Sequence, residues 1–165
     1  MSVLLSGLSS SALAPRGAVA ALPDLPNAGP PGAWSADLRH ELERLTDGLT
    51  FMSEADFPLE VVLWRRPGGA PTAAHLALLT GIPHPETAKV TTVDDFFRAA
   101  ARPPRASDAE EEVIARRFRR LARFLTHRLT SARAFRFGRT TIRAYVVGST
   151  SNGDWIGVAT TMIET

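Results

Sequence analysis

The apolar residues of this chain change their period near residue 130, and that change constrains the fold more than any other feature. From Ser107 to about Thr130, Ile114, Phe118, Leu121, Leu125 and Leu129 recur along one face of a helix. Ser107 with Glu110 three residues on makes a capping box, and the acidic first turn (Asp108, Glu110, Glu111, Glu112) before a basic remainder suits the helix dipole. Beyond Ala134 the alternation is that of strands: Phe135 to Phe137, Thr141 to Val147 and Trp155 to Glu164. Asn152-Gly153 is placed to join the last two as a hairpin. Strands that follow one another without intervening helices predict an α+β fold with a mainly antiparallel sheet.

The elements upstream are shorter. Ser35 is placed to cap a helix carrying Leu38, Leu42, Leu45 and Leu49, with Gly48 as its left-handed exit. Leu59 to Arg65 alternates as a strand, with Leu59, Val61 and Leu63 on one side and Glu60, Val62 and Trp64 on the other, and Pro67-Gly68-Gly69 ends it. Thr72 to Thr80 before Gly81 predicts a short helix, and Thr92 with Asp95 opens another carrying Val93, Phe96, Phe97 and Ala100. The last strand runs almost to Thr165; ten residues at roughly 3.3 Å each extend about 33 Å and deliver Thr165 to one end of the sheet.

Residues 1–33 are rich in Ala, Ser, Pro and Gly and are expected to form a flexible low-complexity tail, leaving residues 34–165 as one domain. The tail makes a poor signal peptide, because no basic residue precedes its apolar stretch Val3 to Leu5. The chain has no cysteine, so disulfides, thiolate nucleophiles and cysteine-bound zinc are excluded. His40-Glu41 begins like a zinc-protease helix, but Arg44 stands where the second histidine belongs. No phosphate loop, nucleophile elbow or dinucleotide-binding turn occurs. The expectation is a protein that is not an enzyme and carries no cofactor.

Charge is unevenly spread along the chain. Asp37 to Glu60 holds seven acids against Arg39 and Arg44, whereas Val113 to Arg143 holds ten arginines and no acid. Guanidinium forks match phosphate oxygens, so one reading is a nucleic-acid-binding module using the arginine-rich helix and the strands after it. Phe118 and Phe124 fall on or near the apolar stripe rather than among the arginines, which leaves no evident platform for stacking bases. A solvated helix face and a dock for an acidic partner are the other readings.

The run from Asp47 to Trp64, DGLTFMSEADFPLEVVLW, resembles the N-terminal signature of the nuclease A inhibitor family. Val93-Asp94-Asp95-Phe96-Phe97, the helix from Glu110 to Arg123, Tyr145-Val146-Val147-Gly148 and the ending Ile163-Glu164-Thr165 follow in the family's order and approximate spacing. The resemblance covers roughly Leu38 to Thr165. It implies an α-β-α sandwich, monomeric alone, that binds a sugar-non-specific, magnesium-dependent endonuclease one to one and blocks its active site. It further implies that the terminal threonine reaches the partner nuclease's magnesium and that the glutamate of the Phe-Met-Ser-Glu turn engages the site beside it; the matching residues here are Thr165 and Glu54. Asp56, Glu164 and Trp64 join them as expected partner-binding residues, Asp56 by adding to the local negative field. Family members can carry an aromatic residue in the loop before the long helix, and Pro103-Pro104-Arg105-Ala106-Ser107 has none. A cytoplasmic location is expected for an inhibitor that protects its producer.

Overall fold

The structure is a computed structural model that describes residues 33–103 and 108–165. The expected tail lies outside the described residues except for Ala33, and so does Ser107 of the expected capping box. Helix α1 (Ala33–Thr46) buries Leu38 and Leu42; the chain then turns through Gly48, at φ 64°, and Leu49 still enters the core. Two three-residue strands, β1 (Thr50–Met52) and β2 (Asp56–Pro58), pair as a small hairpin before β3 (Glu60–Trp64). Helix α2 (Ala73–Thr80) has both expected ends: the Thr72 hydroxyl accepts from the His75 N–H at 3.2 Å, and Gly81 is left-handed. Strand β4 (Lys89–Thr91) and helix α3 (Val93–Phe97) follow, α3 capped by Thr92, which accepts from the Asp95 N–H at 3.0 Å.

The long amphipathic segment forms α4 (Ala109–Arg128). Asp108 caps it, its carboxylate accepting from the Glu110 and Glu111 N–H groups at 2.9 and 3.3 Å. Leu129 is already extended, and β5 (Thr130–Phe137) begins at once, with Ser131 at φ 55° and a register shift before Arg133. The expected strands β6 (Thr141–Ser149) and β7 (Trp155–Ile163) complete the chain and pair over nine residues each.

Five strands form one antiparallel sheet in the order β3-β7-β6-β5-β4. Period-two alternation splits its side chains between two cores. One face, with Ala134, Ile142, Val146, Ile156 and Val158, packs against α1, α3 and α4. The other, with Trp64, Phe135, Tyr145, Val147 and Trp155, packs against Leu76 and Ala77 of α2. The result is the α-β-α sandwich of an α+β fold. Fully burying each large side chain contributes roughly 1.5–3 kcal/mol, so both helical layers are needed to keep the two-sided sheet dry. No helix among the described residues is long and apolar enough to cross a membrane.

Ser35 corrects one expectation. It lies inside α1 rather than capping it, is fully buried, and donates its hydroxyl to Asp154 Oδ2 at 2.7 Å. Asp154 also accepts from the Arg66 N–H at 3.0 Å. The small hydroxyl is thus a tie between the first helix and the β6–β7 turn, a demand that local capping patterns cannot reveal.

Candidate functional site

The Phe51-Met52-Ser53-Glu54 sequence forms the turn of the β1–β2 hairpin, and its position is set from below. Phe51 is buried against three rings, with centroids 5.1 Å from Phe96, 6.2 Å from Phe97 and 6.1 Å from Phe118. Pairs of this kind add about 0.5–1.5 kcal/mol beyond their buried area. Within the turn the Ser53 hydroxyl donates to the Ala55 carbonyl at 2.9 Å. The turn therefore starts from a fixed point in the core and is braced internally.

The same turn is stitched to the end of β7. The Ile163 N–H donates to Ser53 Oγ at 3.1 Å, and the Glu54 N–H donates to the Ile163 carbonyl at 3.3 Å. Glu54 Oε1 accepts from the Thr165 N–H at 3.2 Å and from the Thr165 hydroxyl. Two residues 111 positions apart thus form one exposed knob. Pairing the last strand along its whole length against β6 is what carries Thr165 to this place. Donation to Glu54 leaves the lone pairs of the threonine hydroxyl available as acceptors.

The other expected contact residues divide. Asp56, directly opposite Met52 in the hairpin, is exposed on the same knob. No cation among the described residues forms an ion pair with Glu54 or Asp56, so the knob keeps its negative charge. Glu164 is exposed but paired with Arg136, and its N–H donates to the Thr140 carbonyl at 2.9 Å. Trp64 is only 4% exposed, packed beside Tyr145 in the core under α2, and presents no surface. Its place at the inward end of β3 opposite Trp155 explains why.

Met52 escaped the sequence reading. It is 71% exposed beside Glu54 and Asp56, an apolar group next to two acids. Its signal lay in the alternation of the hairpin, which places Phe51 inward and Met52 outward. Three residues are too few for that alternation to stand out.

Behind the knob, on the sheet face shared with α2, Arg143 donates to Glu60 at 3.1 Å and to the Thr161 hydroxyl at 3.1 Å, and lies 5.5 Å from the Tyr145 ring. Burial pulls the guanidinium down, but hydrogen bonds to Tyr145 and Glu60 outweigh it and leave its pKa above the ordinary arginine value. Arg143 is a fixed cation that holds β3 against β6 across β7. Among the described residues no group of histidines and carboxylates could hold a metal ion.

No curated protein matches the chain. A family model described as Nuclease A inhibitor-like protein matches residues 36–165, a stretch that takes in the hairpin, the long helix and the last strand, and the chain belongs to that family.

Proposed function

We propose that this protein inhibits a sugar-non-specific, magnesium-dependent endonuclease by seating the Glu54–Thr165 knob in its active site. The observation that carries this reading is the convergence of Glu54 and Thr165, joined by two hydrogen bonds although the turn and the last strand lie at opposite ends of the domain sequence. Magnesium prefers hard oxygen ligands and keeps several waters. A carboxylate with a hydroxyl beside it, both supplied by Thr165, offers oxygens to the partner's magnesium in the manner of a phosphodiester. Glu54 and Asp56 face the cations with which a nuclease holds phosphate. No phosphorus is present to be attacked, so the complex does not turn over.

Preorganisation strengthens the case. Glu54 holds Thr165 by its backbone and its hydroxyl at once, which removes the fraying expected of a chain end before any partner arrives. Of the six arginines of α4, Arg117, Arg119 and Arg128 are engaged within the protein.

The test is inhibition of such an endonuclease by the intact protein, by a variant lacking Thr165 and by one extended with a glycine after Thr165. Both variants are expected to weaken inhibition by roughly 30-fold or more, the equivalent of about 2 kcal/mol at a buried charged contact. Unchanged inhibition by both would discard the role of Thr165. Absence of inhibition by the intact protein would discard the inhibitor reading itself.

A further inference from the structure

Helix α4 packs between α1 and α3, and its arginines are treated differently on the two sides. Towards α1 they are satisfied: Arg117 donates to the carbonyls of Leu45 and Asp47, and Arg128 pairs with Glu41 at 3.9 Å. Towards α3 there is an open groove of about 550 Å³. Arg98 and Arg102, just past the end of α3, line it together with Arg119, Arg123 and His127 of α4, and Asp94 is the single carboxylate among its lining residues. Arg119 is held by the Ala101 carbonyl at 2.9 Å and Glu112 at 2.6 Å, and Arg98 pairs with Asp95. The guanidinium groups of Arg102 and Arg123 are exposed and have no partner among the described residues.

We infer that this groove binds the sugar-phosphate backbone of a nucleic acid strand. Guanidinium forks on both walls present donors in the geometry that phosphate oxygens accept. Arg119, Arg123 and His127 recur every four residues, which sets two guanidinium groups and an imidazole along about 12 Å of helix, roughly the rise of three nucleotides. The apolar floor argues for the backbone rather than the bases: Phe97 is fully buried and Ala122 nearly so, so no ring is available for stacking. The same floor argues against an acidic protein as the occupant, because the groove offers no exposed aromatic or aliphatic anchor of the kind that dominates protein interfaces. Binding of this type tolerates sequence and is steeply salt-dependent. The groove is built from α3 and α4, and the inference does not depend on the role proposed for Glu54 and Thr165.

The experiment is fluorescence anisotropy of a labelled 12-nucleotide single strand with the full chain, in the absence of any nuclease, across a salt series. The wild type is compared with R102E/R123E, R102A/R123A and, as a control on α1 whose charge change equals that of the double-alanine variant, R44E. Expected are binding at low salt, a loss of at least about tenfold in R102E/R123E, a smaller loss in R102A/R123A, and a log–log salt slope shallower by about 1.4 for two phosphate contacts removed. Circular dichroism verifies that the variants are folded. No binding at low salt, or a loss in R44E equal to that in R102A/R123A, overturns the inference. Displacement of the strand by inorganic phosphate at matched ionic strength, with no advantage for the strand, overturns it in favour of a small-anion site. Displacement by poly-glutamate at a lower concentration than by unlabelled strand overturns it in favour of an acidic protein partner.

Discussion

At Phe51 the chain is closed in by the rings of Phe96, Phe97 and Phe118, whereas Glu54, three residues on, is exposed and bonded only to the end of the same chain. The two positions belong to one motif but act on different links of the argument, one on stability and one on recognition. Phe51→Ala is expected to lower unfolding free energy by about 3–5 kcal/mol, because it removes a large buried ring and leaves a cavity. Glu54→Gln is expected to leave urea unfolding within about 0.5 kcal/mol of wild type, as for other exposed changes, and to weaken nuclease inhibition. If the two variants lose stability alike, Glu54 is part of the scaffold and the proposed division fails. Sequence alone marks Glu54 only through its motif; that its acceptor atom meets Thr165 depends on the path of the chain between them.

Strand β7 links several parts of the molecule, since β3 and β6 both pair with it and its last residues hold the hairpin turn. Gly157 leaves no room for a side chain between β7 and β6: a Cβ there would stand 1.9 Å from the Val146 carbonyl oxygen. A backbone atom cannot swing aside as a side chain does, so even alanine must displace the strand. Gly157→Ala is expected to cost about 1–3 kcal/mol in thermal or urea unfolding, the range for overpacking a tight core; a neutral result would mean that the sheet relaxes there freely. The long elements were legible because several turns or alternations repeat the same signal. Strands β1, β2 and β4, at three residues each, hold too few repeats for any period to emerge, and β5 was read short because it begins directly after α4 with no turn residue between.

Over the whole molecule the charge blocks that look so separate in the sequence are partly interleaved. Glu41 meets Arg128, and Glu60 meets Arg143, so members of the acidic and basic segments neutralise one another across the fold. Among the charges left without an ion-pair partner are the acids at the hairpin turn and two of the arginines between α3 and α4. An acidic knob approaching a cationic nuclease cleft should gain speed from long-range attraction. The association rate is therefore expected to fall as salt rises, and Asp56→Asn is expected to slow association more than it speeds dissociation. Stopped-flow binding resolves the two rates, and a rate insensitive to salt would remove steering from the proposed mechanism.

By itself the sequence determined the α+β class, the long helix with its apolar stripe, the strands β6 and β7 with their hairpin, and the family to which the Phe-Met-Ser-Glu turn belongs. These are properties of local period and motif, and local chemistry is enough to express them. Only the tertiary structure decided that Ser35 ties α1 to Asp154, that Trp64 is buried, that Met52 is exposed, and that Glu54 holds Thr165. It also decided which arginines of α4 are satisfied and which line an open groove. Each of these depends on two segments distant in sequence meeting in space, and side-chain period along one segment contains no information about what the other will bring.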